Sequence, residues 1–102
     1  MRILAPTLAI SEREFQATVL GLAAWMGWRT YHTWRSDHSP AGYPDLTMVR
    51  GRRIVYAELK SQWGRVSRQQ AAWLDALLAT GQCEVRLWRP SDWESIVAIL
   101  AR

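Results

Sequence analysis

The fold is decided by residues 45–60, DLTMVRGRRIVYAELK. Two runs within this stretch, 45–50 and 53–60, combine alternating or continuous apolar residues with β-branched ones, which is typical of β-strands. Gly51 and Arg52 separate the runs, and glycine at the first central position of a two-residue turn is what a type II′ hairpin requires. The stretch therefore predicts an antiparallel hairpin in which the numbers of directly paired residues sum to 103.

In this register Asp45 lies directly opposite Glu58, and the period-two alternation of a strand places Lys60 on the same face. Directly opposed residues have Cβ atoms about 5 Å apart, so the two carboxylates repel each other unless a cation lies between them. The simpler interpretation is a surface pair in which Lys60 neutralises Glu58. The hairpin register favours the first interpretation, because it gathers all three ionisable groups at one end.

A pair of carboxylates on a sheet is a suitable site for Mg²⁺ or Mn²⁺. These hard cations take a few carboxylate oxygens, keep several waters and leave room for a substrate phosphate. A lysine beside them can orient or deprotonate an attacking water, or offset charge on the reacting phosphorus. The residues at the open end of the hairpin therefore point to metal-assisted hydrolysis.

Three segments begin with a serine followed three residues later by Glu or Gln, the capping-box signature of a helix start, at Ser11, Ser67 and Ser91. Gly27 and Gly81 stand where the first two of these helices should end, as glycine does after a helix. We expect helices over residues 11–26, 67–80 and 91–101.

Further strands are expected over residues 28–34 and 84–89, which gives the element order α-β-β-β-α-β-α. The nearly continuous apolar run of the third strand predicts a central position covered on both faces. The fold class is thus α/β, a single domain with a mixed sheet and a central hairpin flanked by helices. Residues 1–10 form a lead-in and residues 11–102 the domain.

Composition limits the function classes. The 102 residues suffice for one core, and the balance of 49% hydrophobic against 22% charged residues excludes a disordered chain. The net charge of +4 is a weak indication of nucleic-acid binding. Lys60 is the single lysine among 13 cationic residues. One cysteine, Cys83, allows no internal disulfide and favours a reducing, cytoplasmic location.

The motifs resemble a known family of nucleases. The segments GYPD at 42–45 and ELK at 58–60 resemble the PD-(D/E)xK nuclease signature. Over about residues 11–95 the chain resembles the VRR-NUC branch more narrowly. The segments that carry this resemblance are SEREFQ at 11–16, GYPDL at 42–46, AELK at 57–60, QQAAWLDAL at 69–77 and WRPSDW at 88–93.

The resemblance implies a restriction-endonuclease-like fold and a Mg²⁺- or Mn²⁺-dependent, structure-selective DNA endonuclease related to Holliday-junction resolvases. It implies Asp45, Glu58 and the backbone carbonyl of Leu59 as metal ligands, and Lys60 as the catalytic lysine. The resemblance also implies that Gln70 helps to hold the active site without binding the metal itself. Its simpler role is capping of the helix that begins after Ser67. The small members of the branch are homodimers and commonly phage-encoded, which implies the cytoplasm of a bacterial host.

The family also places a glutamate of the first helix near the metal, and two candidates exist, Glu12 and Glu14. At about 100° per residue they point in nearly opposite directions. Glu14 is already explained by the capping box of Ser11, whereas Glu12 shares the apolar stripe of Phe15 and Val19, where a carboxylate needs a partner. Glu12 is therefore the predicted site residue.

Other interpretations remain open. The chain fits a catalytically silent DNA-binding module, the nuclease subunit of a larger complex, or a nuclease that acts on RNA. A homodimer would use the surplus of four tryptophans over what one small core buries easily, namely Trp28, Trp34, Trp88 and Trp93. The alternative is that these rings simply pack the edges of the sheet. His38, in a polar loop before Asp45, is interpreted as a solvated residue that could contact DNA.

Overall fold

A computed structural model describes residues 3–34 and 39–102. The prediction for His38 lies outside these residues. The element order α-β-β-β-α-β-α is confirmed, with one 3-10 turn added before the last helix. The helices are α1 (Glu12–Trp25), α2 (Arg68–Ala79) and α3 (Trp93–Ala101), and the strands are β1 (Arg29–His32), β2 (Leu46–Arg50), β3 (Arg53–Leu59) and β4 (Glu84–Trp88).

The four strands form one mixed sheet in the order β1-β2-β3-β4. Strand β2 pairs antiparallel with both β1 and β3, whereas β3 and β4 are parallel. The hairpin has the predicted register, since Val49 pairs with Ile54 and Thr47 with Tyr56. Gly51 has a φ of 60°, as the first central residue of a type II′ turn needs.

The helices cover both faces of the sheet. Successive side chains of a strand point to opposite faces, and the core face carries α1 and α3. The other face carries α2, whose Trp73 ring packs edge-on to Tyr43, which in turn contacts Tyr56 of β3. The buried apolar residues of the core are Phe15, Val19, Leu22, Ala23, Trp28, Leu46, Met48, Val55, Ala57, Leu59, Trp88, Ile96 and Leu100.

Helix α1 ends as its glycine predicts. Gly27 has a φ of 85°, and its amide donates to the carbonyl of Ala24 at 3.1 Å. The amide of Trp28 donates to Ala23 at 2.9 Å. These two bonds form a Schellman motif, which satisfies carbonyls that the helix leaves unpaired. The reversal turns Trp28 into the core at the start of β1.

The prediction of a capping box at Ser91 is wrong. Helix α3 begins at Trp93, after a 3-10 turn over Pro90–Asp92. The side chain of Asp92 accepts a hydrogen bond from the amide of Arg89 at 2.8 Å, so an aspartate rather than Ser91 pairs with the backbone at the start of this turn. Ser91 instead donates its amide to Gln62 at 3.0 Å, a contact between segments distant in sequence.

The tryptophans divide between core and surface. Trp28 and Trp88 are buried, which contradicts their assignment to an excess aromatic surface, because the turn after α1 and the end of β4 both face the core. Trp93 is half-buried and Trp34 is exposed. Among the described residues, no helix has the length and apolar character needed to cross a membrane.

Candidate active site

The backbone of Asp45 is fixed between a buried proline and the end of β1. Pro44 is buried, and its carbonyl accepts a hydrogen bond from Thr33 Oγ1 at 2.7 Å. The carbonyl of Asp45 accepts the amide of Thr33 at 2.8 Å. Proline restricts the residue before it to extended conformations, so Asp45 enters β2 from a rigid support.

Gly42 brings this support against the start of α2. Its φ is +98°, and a Cβ at this position would lie 2.4 Å from the backbone carbon of Gln69. No other residue fits here, both because of the left-handed conformation and because of the contact. The close approach places the segment that carries Asp45 next to the first turn of α2.

The side chain of Asp45 crosses from the start of β2 to the end of β3. Its Oδ2 accepts a hydrogen bond from the backbone amide of Leu59 at 2.8 Å. The regular pairing of the two strands ends at Leu46 and Ala57, one residue short of Asp45 and Glu58. The predicted register therefore brings Asp45 beside Glu58, although Asp45 itself precedes β2.

Glu58 is a buried carboxylate with one satisfied oxygen. Its side chain is 1% exposed. Its Oε2 accepts a hydrogen bond from Gln70 Nε2 at 2.8 Å and lies 3.4 Å from Lys60 Nζ. Its Oε1 is buried and has no hydrogen-bond partner among the described residues. Such an oxygen is costly to bury unless a ligand completes it.

Burial, together with the neighbouring charge of Asp45, raises the pKa of Glu58 to about 7, while Lys60 acts in the opposite direction. The charged form of Glu58 is thus destabilised in the protein without a ligand. A shift of this size, caused by desolvation together with a specific neighbour, is typical of functional sites.

Gln70 makes a capping contact and a contact with Glu58 through the same amide group. Its Oε1 accepts the amide of Ser67 at 2.9 Å, and Ser67 Oγ accepts the amide of Gln70 at 3.1 Å, which completes a capping box. The other end of the same amide group donates to Glu58. The start of α2 therefore determines where the Glu58 carboxylate points.

Lys60 is held on the same face as Glu58, directly after β3. Its side chain is buried apart from a small fraction, and its amide donates to the carbonyl of Trp88 at 3.0 Å, which extends the parallel pairing of β3 with β4. The ammonium beside Glu58 offsets part of the negative charge of the two carboxylates.

The structure does not bring Glu12 into this group. Glu12 is exposed, and the buried side of α1 begins one turn later at Phe15, so the premise that Glu12 lies on the buried stripe is wrong. Within residues 3–34 and 39–102, no three His, Cys, Asp or Glu side chains form a group that could hold a metal ion. The carboxylate of Glu14 accepts a hydrogen bond from the Ser11 hydroxyl at 3.0 Å, consistent with a role in capping.

Arg89 is a residue near the site that the sequence did not single out. Its Nη1 donates to the backbone carbonyls of Ser61, Gln62 and Gly64, at 2.9, 3.3 and 2.7 Å. It thereby holds the loop that follows Lys60. The signal that could have found it is its position directly after β4, because the ends of parallel neighbours β3 and β4 meet at one edge of the sheet.

The donors present fit a hard divalent cation. Two carboxylates lie together, and Glu58 Oε1 finds no partner in residues 3–34 and 39–102. Mg²⁺ and Mn²⁺ prefer such oxygen ligands. A bound cation would remove both the repulsion and the unsatisfied oxygen, which gives the group of Asp45, Glu58, Lys60 and Gln70 a chemical use that stability does not explain.

Comparisons with known proteins show the fold. No protein-family model matches the chain, and no curated protein matches it. Among solved structures, a protein described as a VRR_NUC domain protein is similar with a TM-score of 0.63 and 18% identity, over 89% of this chain and 85% of that one. The Holliday junction resolvase Hjc of Archaeoglobus fulgidus is similar with a TM-score of 0.57 and 21% identity, over 76% of this chain and 67% of its own. This chain therefore has the fold that these two proteins share.

Proposed function

We propose that this protein is a metal-dependent endonuclease that hydrolyses phosphodiester bonds in DNA. The observation that carries the proposal is the Glu58 carboxylate. It is buried beside Asp45 and Lys60, and one of its oxygens lacks a partner among the described residues. The fold shared with two nucleases supports this reading of the group.

The carboxylates of Asp45 and Glu58 and the backbone carbonyl of Leu59 would hold Mg²⁺ or Mn²⁺. When bound, such an ion polarises the phosphate and lowers the pKa of its water. Lys60, 3.4 Å from Glu58, orients the attacking water and offsets charge on the phosphate oxygens. Water then attacks phosphorus and loses a proton to solvent, while the bond from phosphorus to the leaving oxygen breaks and that oxygen takes up a proton from solvent. Gln70 acts through Glu58, so it is a positioning residue.

The substrate class is branched or otherwise structured DNA. One structural neighbour is described as a Holliday junction resolvase. The net charge of +4 suits a polyanion, although it does not distinguish DNA structures. Action on DNA in the cytoplasm of a bacterial host, and an origin in a phage, stay predictions.

Glu12 stays a prediction as the helix α1 carboxylate that the family resemblance implies, since the structure leaves it outside the group of Asp45 and Glu58. The carboxylate of Glu14 accepts a hydrogen bond from Ser11, whereas Glu12 is exposed in the first turn. Glu12→Gln should therefore reduce cleavage far more than Glu14→Gln, because glutamine also serves in capping. The reverse ranking of the two cleavage rates would assign the role to Glu14.

A homodimer is the proposed assembly, because one site cuts one strand and a two-fold axis supplies a second site. The face of the sheet that α2 covers leaves several apolar side chains exposed: Tyr31, Val49, Ile54 and Leu87. Such a surface suits an interface. Light scattering at micromolar concentration should give twice the monomer mass. A monomer, also with junction DNA present, would contradict this part of the proposal.

The test is incubation of the purified protein with duplex, flap and four-way-junction DNA, in EDTA, Mg²⁺ and Mn²⁺. We expect cleavage of branched DNA with a divalent cation and none in EDTA. The exposed carboxylate Asp75, on α2, offers a matched control: Asp75→Asn should cut as the wild type does, and Asp45→Asn should not. Binding of DNA without cleavage in any metal would overturn the proposal in favour of a silent DNA-binding module, and cleavage by Asp45→Asn would overturn the site.

A further inference from the structure

Trp63 is the most exposed of the large apolar side chains described, at 77%. It lies three residues after Lys60, in the loop between β3 and α2. An exposed indole contributes nothing to the core. Single exposed apolar residues are common on protein surfaces, so the backbone that presents this one decides whether it has a function.

The backbone around Trp63 is held by one arginine. The Arg89 guanidinium donates to the carbonyls of Ser61 and Gln62, which precede Trp63, and to that of Gly64, which follows it. Charge-assisted hydrogen bonds are about twice as strong as neutral ones. Arg89 therefore fixes the loop on both sides of the indole, from a position at the end of β4.

A second set of contacts fixes the same loop. Gln62 Nε2 donates to Ser91 Oγ at 2.9 Å, and the Ser91 amide donates to Gln62 Oε1 at 3.0 Å. Gly64 folds back on the start of the loop, since a Cβ there would lie 2.9 Å from Ser61 Oγ and 3.6 Å from Lys60 Cδ. The loop thus packs against Lys60 while the ring of Trp63 stays in solvent.

A rigid backbone that carries an exposed aromatic ring is suited to binding. Tryptophan and tyrosine supply large contact area at low cost in conformational entropy, and a backbone fixed in advance lowers that cost further. The hydrogen bonds of the loop use the backbone and the Gln62 side chain, and most of the Trp63 side chain is exposed.

The charges that follow Trp63 indicate a nucleic-acid partner. Arg65 and Arg68 are exposed, two and five residues further along the chain, where the loop enters α2. Aromatic rings that stack on bases, beside cations that contact the backbone, are the combination that binds single-stranded nucleic acids. Of the exposed apolar residues on the sheet face that α2 covers, Val49 and Ile54 flank the hairpin turn, at the other end of β3 from Trp63.

We propose that Trp63 stacks on an unpaired nucleobase next to the phosphate at the catalytic group. This inference rests on the proposed nuclease function and narrows its substrate. Within a duplex each base is already stacked on its neighbours, so a base offers a free face where stacking is interrupted, at a flap, a fork or a branch point. Trp63 would thereby favour DNA with such a base beside the cut.

The test compares two DNAs of the same sequence, a blunt duplex and a flap with 2-aminopurine at the first unpaired position, bound in EDTA so that no cleavage occurs. Stacking on the indole should quench the 2-aminopurine fluorescence in the wild-type complex. Trp63→Ala should abolish the quenching and raise the Kd for the flap about tenfold, with less than a twofold change for the duplex. Trp63→Phe should retain most of both effects.

Trp25 offers a matched control, because it is an exposed tryptophan far from the site. It precedes Met26, whose carbonyl accepts a hydrogen bond from Arg50 at the hairpin turn. Asp45 of the site lies five residues from Arg50 along the chain, which is roughly 17 Å at the rise of a strand. Trp25→Ala should bind and quench as the wild type does.

Three outcomes of the binding test would overturn the stacking role. The first is flap binding by Trp63→Ala as tight as that of the wild type, and the second is an equal loss of affinity for flap and duplex. The third is a loss of the dimer in Trp63→Ala, which would make Trp63 an interface residue. Cleavage of the flap by the wild type in Mn²⁺ is measured separately. If the wild type cleaves the flap and Trp63→Ala binds the flap as the wild type does, the stacking role alone is overturned. If Trp63→Ala selectively loses flap binding but the wild type does not cleave, the nuclease function alone is overturned.

Discussion

The two ends of the β2–β3 hairpin use charged residues in opposite ways. At the turn, Arg53 forms two hydrogen bonds of 2.8 Å with the Glu84 carboxylate. Arg50 donates to the carbonyl of Leu100 at 2.7 Å, and both guanidiniums lie over the ring of Trp28. These contacts satisfy carbonyls at the end of α3, where cations are favourable.

At the open end the charges are less well satisfied. Glu58 is buried beside Asp45 with one oxygen unpartnered among the described residues. The pKa values differ accordingly: hydrogen bonding to Arg53 lowers that of Glu84, whereas burial raises that of Glu58 to about 7. The same two strands thus carry one end built for stability and one end whose charges decrease it. Such a difference is expected where a site is kept ready for a ligand.

The largest effect should follow from substitution at the open end. Glu58→Gln and Lys60→Ala should each reduce DNA cleavage at least about 100-fold, since the first removes a charged ligand and the second the cation near the phosphate. Glu84→Gln, at the turn end, is the matched control and should retain the cleavage rate per folded molecule. A loss of cleavage rate in Glu84→Gln as large as that in Glu58→Gln would contradict the distinction between the two ends of the hairpin.

The pH dependence of stability separates the two glutamates. Because the pKa of Glu58 is raised to about 7 from its ordinary 4.5, the folded protein binds the proton more tightly. The raised pKa contributes up to about 3 kcal/mol to the free energy of unfolding. This contribution is complete below about pH 4.5 and is lost as the pH rises through 7. Urea unfolding in EDTA at pH 5 and pH 8 should show the decrease in the wild type and not in Glu58→Gln. The pKa of Glu84 is lowered, so its contribution is lost as the pH falls.

Arg53→Ala should lower the free energy of unfolding by about 2 kcal/mol, because it breaks the ion pair with Glu84 and a contact to the end of α3. Arg52→Ala, one residue away in the exposed turn, should change it by less than about 0.5 kcal/mol. Urea titration measures both. A similar loss of stability in the two variants would contradict the role of Arg53.

The smallest effect concerns the dual role of Gln70. Gln70→Ala removes both the cap and the hydrogen bond to Glu58, whereas Ser67→Ala removes the cap alone. Both should cost about 1 kcal/mol of stability. Gln70→Ala should also reduce cleavage about tenfold, as loss of a group that orients a ligand does. A cleavage rate for Gln70→Ala equal to that for Ser67→Ala would limit Gln70 to capping.

The sequence predicts the hairpin and the open-end group because both follow from short-range rules. Gly51 defines the turn, alternation then sets the register, and the register gathers Asp45 and Glu58. Gln70 was found through its capping pattern, and its contact with Glu58 follows from the helix face on which it lies.

The contacts that the sequence does not predict join distant segments. Arg50 and Arg53 reach the end of α3 through side chains whose direction no local pattern fixes. Arg89 lies next to the loop after Lys60 because β4 pairs with β3 in parallel, but no local pattern fixes which carbonyls its side chain reaches. The burial of Trp28 and the exposure of Glu12 depend on where the core ends, and helical periodicity alone does not give that limit.

The central claim is that the open end of the hairpin is built to hold a divalent cation, and metal-linked stability tests it most directly. Unfolding by urea at pH 8 would be followed in EDTA and in Mn²⁺ for the wild type, Glu58→Gln and the control Asp75→Asn. A ligand that binds the folded state stabilises it by about 2.7 kcal/mol at 100 times its Kd. We expect Mn²⁺ to raise the unfolding free energy of the wild type and of Asp75→Asn, and to leave Glu58→Gln unchanged. No increase in the wild type, or an equal increase in Glu58→Gln, would contradict the account.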